Sequence, residues 1–291
     1  MYPARFGYEA PRSLGEAIGL LAEAGDEAKV LAGGQSLIPL MKLRFAAPRL
    51  VIDINNIGDL AYHYQDSGGT LHVGALCRHV DLERSTLIKD VQPLMAAAAP
   101  VIADPIVRNR GTLVGSLCHA DPQGDWSSVV TALGGTVIAQ GPAGRRAIPV
   151  REFVTGPFSN TLAPDEIAVE VTIPPPHGVR RGGYLKLERR IGDFATAGVA
   201  VALEMDASTV RQAGIALTGV GGDAGPAALA LTGRPLTAET IGEAADSAAG
   251  AARPRTDHRG SAEYKRHMVR VFVTRILDAA ARDAQQERTA A

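Results

Sequence analysis

The chain has 291 residues, 46% of them hydrophobic, and balances 30 basic against 31 acidic side chains, enough to bury a core over about two domains. A net charge of −1 with scattered basic residues gives no electrostatic footprint for nucleic acid or an anionic membrane, so neither is expected as a partner. No run approaches the ~18 apolar residues of a membrane span, and Met1-Tyr2-Pro3-Ala4-Arg5-Phe6 leads into charged, glycine-bearing sequence rather than a signal-peptide core, from which a cytoplasmic location without membrane insertion is expected.

In chain order, Ser13-Leu14-Gly15-Glu16 has the form of a capping box opening an Ala/Leu-rich helix to about Ala24, which Gly25 terminates. A strand over Ala28 to Leu31 leads into a glycine loop, and Leu50 to Ile54 reads as its neighbour, with Pro39 keeping any helix between them short. A Gly68-Gly69 turn, a strand over Thr70 to Gly74, a polar helix around Val80 to Arg84 and an alanine-rich helix from about Gln92 to Ala99 follow, and then a second glycine-rich stretch. Beyond it, Trp126 to Leu133 reads as a helix, Gly135 to Gln140 as a strand, Gly141 to Gly144 as a turn and Glu166 to Ile173 as a strand. Pro174-Pro175-Pro176 fits neither a helix nor a central strand, so it marks a domain boundary. Past it, Gly183 to Glu188, Ala197 to Glu204 and Val210 to Leu217 suggest an antiparallel meander, covered by helices within Ala238 to Ala252 and about Ser261 to Arg282.

The chemistry concentrates in two stretches, Leu31-Ala32-Gly33-Gly34-Gln35-Ser36-Leu37 and Arg108-Asn109-Arg110-Gly111-Thr112-Leu113-Val114-Gly115-Ser116. Each joins small residues, which let backbone amides approach a ligand, to hydroxyl donors, so together they can form two walls of one pyrophosphate site. That points to a dinucleotide. Walker A, the Rossmann fingerprint and the nucleophile elbow do not occur. Cys77 and Cys118 are too few for an iron–sulfur cluster, which takes about four thiolates, and the seven histidines show no metal spacing.

The opening hexapeptide, Ala32 to Pro39, Arg108 to Ser116 continuing through Leu117-Cys118-His119-Ala120-Asp121-Pro122, and Arg190-Ile191-Gly192-Asp193-Phe194-Ala195-Thr196-Ala197 closely resemble the FAD-binding medium subunit of the molybdenum hydroxylases, the family of aerobic carbon monoxide dehydrogenase and xanthine dehydrogenase. The resemblance runs in order over nearly the whole chain. It implies an α+β protein: a PCMH-type FAD-binding domain over residues 1–176, made of two α/β subdomains at about 1–57 and 58–176, and a C-terminal domain over 177–291 of three antiparallel strands with helices. It further implies noncovalent FAD, a small [2Fe–2S] subunit and a large molybdopterin subunit as partners in a dimer of heterotrimers, and electron flow from the iron–sulfur subunit through this flavin to an external acceptor. A self-contained flavin oxidase or reductase of the same fold is the alternative, and a cofactor-free assembly module is a third class.

Site roles follow position by position from the resemblance. Leu31, Ala32, Gly33, Gly34, Gln35, Ser36, Leu37 and Ile38 match the first FAD loop, and Thr112, Gly115 and Ser116 the second, with backbone dipoles rather than a basic cluster neutralising the phosphates. Val114 stands where the family pattern has a glycine; its β-branch disfavours positive φ and adds bulk beside the phosphates. Ile102 matches an apolar position beside the nucleotide. Asp125 matches an acidic residue holding the cofactor, with Asp121 in the adjoining motif; either can instead be the N-cap before Trp126. Lys186 aligns with a lysine close to the flavin, Val169 with an apolar contact and Phe194 with an aromatic over one flavin face. Their plain alternatives are a solvated strand residue for Lys186 and core packing for the other two.

Overall fold

The computed structural model describes residues 2–290; Met1 and Ala291, the outer limits of the two expected domains, lie outside the described residues. The chain forms two compact units, each assembled from three segments: the first from the residues up to Asp81, Pro105–Ala120 and Thr136–Ile173, the second from Leu82–Asp104, Asp121–Gly135 and Pro174 onward.

The elements run β1 (Gly7–Glu9), α1 (Leu14–Ala24), β2 (Ala28–Leu31), α2 (Leu37–Lys42), β3 (Leu50–Asp53), β4 (His63–Gln65), β5 (Leu71–Gly74), α3 (His79–Arg84), α4 (Thr86–Val91), α5 (Pro93–Ala98), α6 (Pro105–Arg108), α7 (Leu113–His119) and α8 (Asp125–Ala132). There follow β6 (Thr136–Gly141), β7 (Gly144–Pro149), α9 (Val150–Phe153), β8 (Val154–Gly156), β9 (Ser159–Asn160), β10 (Ile167–Ile173), β11 (Val179–Leu187), β12 (Ala197–Asp206), β13 (Thr209–Thr218), α10 (Gly225–Leu231), α11 (Ala238–Ala251) and α12 (Ala262–Ala290).

In the first unit, β3 lies between β1 and β2 in a parallel sheet, with Leu31 opposite Asp53. Helix α1 turns Ala17, Ile18 and Leu21 inward, the i, i+1, i+4 stripe of an amphipathic helix. Only half of the expected capping box forms: Ser13 Oγ accepts the Glu16 amide at 3.2 Å, but the Glu16 carboxylate accepts from the Arg12 amide at 3.0 Å, one residue early. Gly25, at φ +53°, ends the helix. Helix α2 is six residues long, with Pro39 inside its first turn where a missing amide breaks no intrahelical bond. The second sheet of this unit, ordered β4-β5-β10-β6-β7, is antiparallel throughout. Strand β7 escapes the sequence because five of its six residues are exposed, leaving no apolar alternation to read.

The second unit holds the antiparallel sheet β11-β12-β13. Val199, Val201, Leu203 and Met205 alternate onto one face of β12 and join a core with Ala244 and Ala248 of α11 and Val273 and Leu277 of α12. Helix α8 packs on β13, so closely that a Cβ at Gly214 would fall 1.8 Å from the Ala132 carbonyl oxygen. The architecture is α+β, with the C-terminal meander and two long covering helices that the sequence suggests.

Candidate cofactor site

In the first unit β2 carries the chain to Leu31 and releases it into the glycine turn. Gly33 passes against the second glycine segment backbone to backbone: a Cβ there would lie 2.3 Å from the Arg110 carbonyl oxygen and 2.8 Å from Gly111 Cα. Gly34 takes φ +76°, the left-handed region that glycine enters without penalty, and its carbonyl accepts the Ile38 amide at 3.1 Å. Among the described residues, the amides of residues 33–37 donate no hydrogen bond within the protein, and Ser36, at the N-cap of α2, makes no side-chain cap. Five successive unpaired N–H groups, most of them in half-buried residues, are a donor set of the kind that binds phosphate oxygens. These residues fit a diphosphate.

The second segment is differently built. Gly111 donates to the Val107 carbonyl at 2.7 Å and accepts from the His79 amide at 2.9 Å, with the His79 ring so close that a Cβ on Gly111 would lie 2.6 Å from Nε2. Burial, then the charges of Arg108 and Arg78, push the His79 pKa down to about 4. Thr112 is the N-cap of α7: its Oγ1 accepts the Gly115 amide at 3.1 Å and its carbonyl accepts the Ser116 amide at 3.0 Å. Both amides therefore donate inside the helix, and the antiparallel bridge between Arg78 and Thr112 engages the Leu113 amide, leaving the Val114 amide and the Ser116 hydroxyl without a partner among the described residues. Val114 raises no conflict with positive φ, because it sits within α7 at 2% exposure and not in a left-handed turn. Its side chain belongs to the core.

Two residues outside both sequence motifs tie these walls together. Asn55 Nδ2 donates to the Ala32 carbonyl at 2.8 Å, and its Oδ1 accepts from the Arg78 guanidinium. Arg78 donates in turn to the Arg110 carbonyl at 2.6 Å. Asp53 anchors the chain of bonds, accepting the Asn55 amide at 2.9 Å and the Tyr8 hydroxyl at 2.7 Å. Burial, followed by the like charge of Arg110, holds Arg78 below the usual arginine range. The expectation that no basic cluster lies near the loops is thus corrected: Arg78 and Arg110 stand 32 positions apart in sequence, so no run of basic residues announces them.

The remaining expected residues divide between the units. Val169 belongs to the first, 2% exposed on β10, where its carbonyl accepts the Ala75 amide at 2.9 Å. In the second unit, Asp121 forms an Asx turn, accepting the Gln123 amide at 2.9 Å. Gly124, not either aspartate, is the N-cap of α8. Asp125 is 7% exposed and both its oxygens are engaged, one by the Tyr184 hydroxyl at 2.5 Å and one by Lys186 Nζ at 3.3 Å. Lys186, its side chain 2% exposed, also donates to the carbonyls of Val101 at 2.6 Å and Asp193 at 3.1 Å and pairs with Glu188 at 3.2 Å. Thr218 and Ser128 complete the cluster. Burial raises the Asp125 pKa against the pull of Lys186 and Tyr184. One ammonium therefore holds the turn before Ile102, which is 7% exposed, and the loop ending in Phe194, whose ring is half exposed. Tyr184 and Asn55 give no signal in the sequence because single polar residues on strands are common.

Among the described residues no group of three His, Cys, Asp or Glu side chains can hold a metal ion. Burial pushes both thiols up to about 12, so neither is poised as a ligand or nucleophile. No described helix is long and apolar enough to cross a membrane.

A parallel α/β sheet that releases unpaired amides against a second glycine segment, with an antiparallel meander in the other unit, defines an α+β protein for a diphosphate-containing cofactor. Comparison with known proteins agrees. Residues 4–176 match the family described as the FAD binding domain in molybdopterin dehydrogenase, and residues 183–280 the CO dehydrogenase flavoprotein C-terminal domain. The chain belongs to the flavoprotein medium-subunit family of the molybdopterin dehydrogenases. It is 42% identical over 287 residues to the carbon monoxide dehydrogenase medium chain of Hydrogenophaga pseudoflava, covering 96% of this chain and 98% of that one. It is 38% identical over 282 residues to the 6-hydroxypseudooxynicotine dehydrogenase complex subunit alpha of Paenarthrobacter nicotinovorans, covering 95% of each. The solved Hydrogenophaga pseudoflava carbon monoxide dehydrogenase that lacks the Mo-pyranopterin moiety superposes with a TM-score of 0.91 over 96% of this chain and 98% of that one.

Proposed function

We propose that this chain is the FAD-carrying electron-transfer subunit of a multi-subunit molybdenum hydroxylase in the cytoplasm. The observation that carries the reading is the run of unpaired amides at residues 33–37, which begins where Gly33 passes against the Arg110–Gly111 backbone. Bound there, FAD would supply reversible electron acceptance. The chain's own residues do the rest. The amides of Gly33, Gly34, Gln35, Ser36 and Leu37 bind one side of the diphosphate, while the Val114 amide and the Ser116 hydroxyl, set by the Thr112 cap, bind the other. Leu31, Ala32 and Ile38 frame the first wall. Within the second unit, Asp125 and Lys186 fix the Val101–Ile102 turn and the Asp193–Phe194 loop.

In this reading electrons arrive from a small [2Fe–2S] subunit and leave for an external acceptor, while the organic or gaseous substrate is bound in the large molybdopterin subunit, the whole assembling as a dimer of heterotrimers. One observation supports the division of labour: the relatives it resembles are named as single chains of larger enzymes, a carbon monoxide dehydrogenase medium chain and a 6-hydroxypseudooxynicotine dehydrogenase complex subunit alpha. The test is the absorption spectrum of the purified chain before and after acid precipitation, with and without added FAD. Flavin released by acid, at about one per chain, is expected. A chain that takes up no flavin after incubation with FAD, or that turns over substrate without partners, overturns the reading.

A further inference from the structure

We propose that Arg78, braced by Asn55, is the positioning residue that fixes the gap between the two walls of the phosphate cradle and supplies its positive charge. This rests on the FAD reading above. Among the described residues no backbone hydrogen bond joins the turn at 32–36 to the segment at 108–112, although Gly33 passes closely over Arg110 and Gly111. The polar tie runs through side chains, from the Ala32 carbonyl to Asn55, from Asn55 to the Arg78 guanidinium and from there to the Arg110 carbonyl.

The guanidinium suits both tasks. Its planar fork reaches two acceptors at fixed angles, which an ammonium on a flexible stem does not reproduce. It has five N–H donors and is half-buried, yet the groups it bonds are neutral, a carbonyl and an amide oxygen. Burial and the neighbouring Arg110 both disfavour its charge, with Asp81 and Asp53 as the weaker counterweights. A half-buried guanidinium at the junction of two amide-lined walls, with the like charge of Arg110 close enough to act on it, leaves a positive potential that a diphosphate relieves. Asn55 lies two residues beyond β3 with Asp53 accepting its amide, so the brace is set by the same sheet that positions the first turn.

The test compares the wild type with Arg78→Met, Arg78→Lys and Asn55→Ala, reading the melting temperature of the apo chain and the affinities for FAD and for riboflavin, which lacks the diphosphate, at low and high salt. Arg78→Met is expected to weaken FAD at least tenfold at low salt, to flatten the salt dependence and to leave riboflavin within twofold. Arg78→Lys and Asn55→Ala keep the charge and lose the brace, so they retain the salt dependence while weakening FAD about threefold to tenfold. If Arg78→Met does not fold, these two decide the matter. FAD affinities within twofold of wild type in the folded variants overturn the proposal while leaving the FAD reading intact. Equal losses for FAD and riboflavin overturn it as well, since they mark a purely structural role. A wild-type chain that binds no FAD removes the reading and the proposal together.

Discussion

Lys186→Met removes the ammonium while keeping most of the apolar stem. In the native chain that ammonium reaches Asp125, Glu188 and the carbonyls of Val101 and Asp193 from a side chain 2% exposed. Its loss leaves the 7% exposed Asp125 with the Tyr184 hydroxyl as its remaining partner for charge. Breaking a buried pair from one side costs about 3–5 kcal/mol, because the other charge stays desolvated. At roughly 2–3 °C per kcal/mol for a chain of this size, the melting temperature should fall by about 6–15 °C at pH 7. The pH dependence carries the sign. Burial already raises the Asp125 pKa, and Lys186 is the largest influence opposing it, so the variant's carboxyl titrates higher still. A carboxyl whose folded pKa exceeds its unfolded value costs stability as pH rises toward the folded value. The deficit should therefore be greatest at neutral pH and shrink on acidification, as seen by thermal unfolding from pH 8 to 5. A fall under 2 °C at pH 7, or a deficit that grows toward acid, refutes the argument.

Gly33→Ala should weaken FAD about tenfold and lower the apo melting temperature, because its Cβ would meet backbone atoms at 2.3 and 2.8 Å and the walls must part, at an overpacking cost of typically 1–3 kcal/mol; flavin titration and calorimetry check it, and wild-type values for both refute it. Val114→Gly should destabilise the chain by roughly 2–4 kcal/mol, since it empties a buried site and puts glycine into a helix; unchanged chemical denaturation midpoints would contradict this. His79, pushed down to about 4 from an unfolded value near 6.5, stays neutral in the fold while the unfolded chain takes up a proton. It should make stability fall by roughly 3 kcal/mol as pH drops from about 6.5 to 4. Denaturation across that window should show a shallower slope for His79→Leu than for wild type.

The sequence by itself determined the elements whose signal is local. Ala28–Leu31 and the three strands after the prolines are read from apolar runs, α1 from its cap and its glycine stop, and the donor turn at residues 33–37 from small residues that follow a strand. Tertiary structure decided the rest. The second glycine stretch reads as a loop, but its Thr112 cap starts a helix that consumes the Gly115 and Ser116 amides and buries Val114. Only the folded chain brings Asn55 and Arg78 to the two walls, or gathers Asp125, Tyr184 and Lys186 into one buried cluster. Caps, strand alternation and glycine turns depend on neighbours a few residues apart, and so are written locally. The partner of a lone polar side chain lies tens of residues away, and it is fixed only when burial removes water and leaves that partner as the available bond.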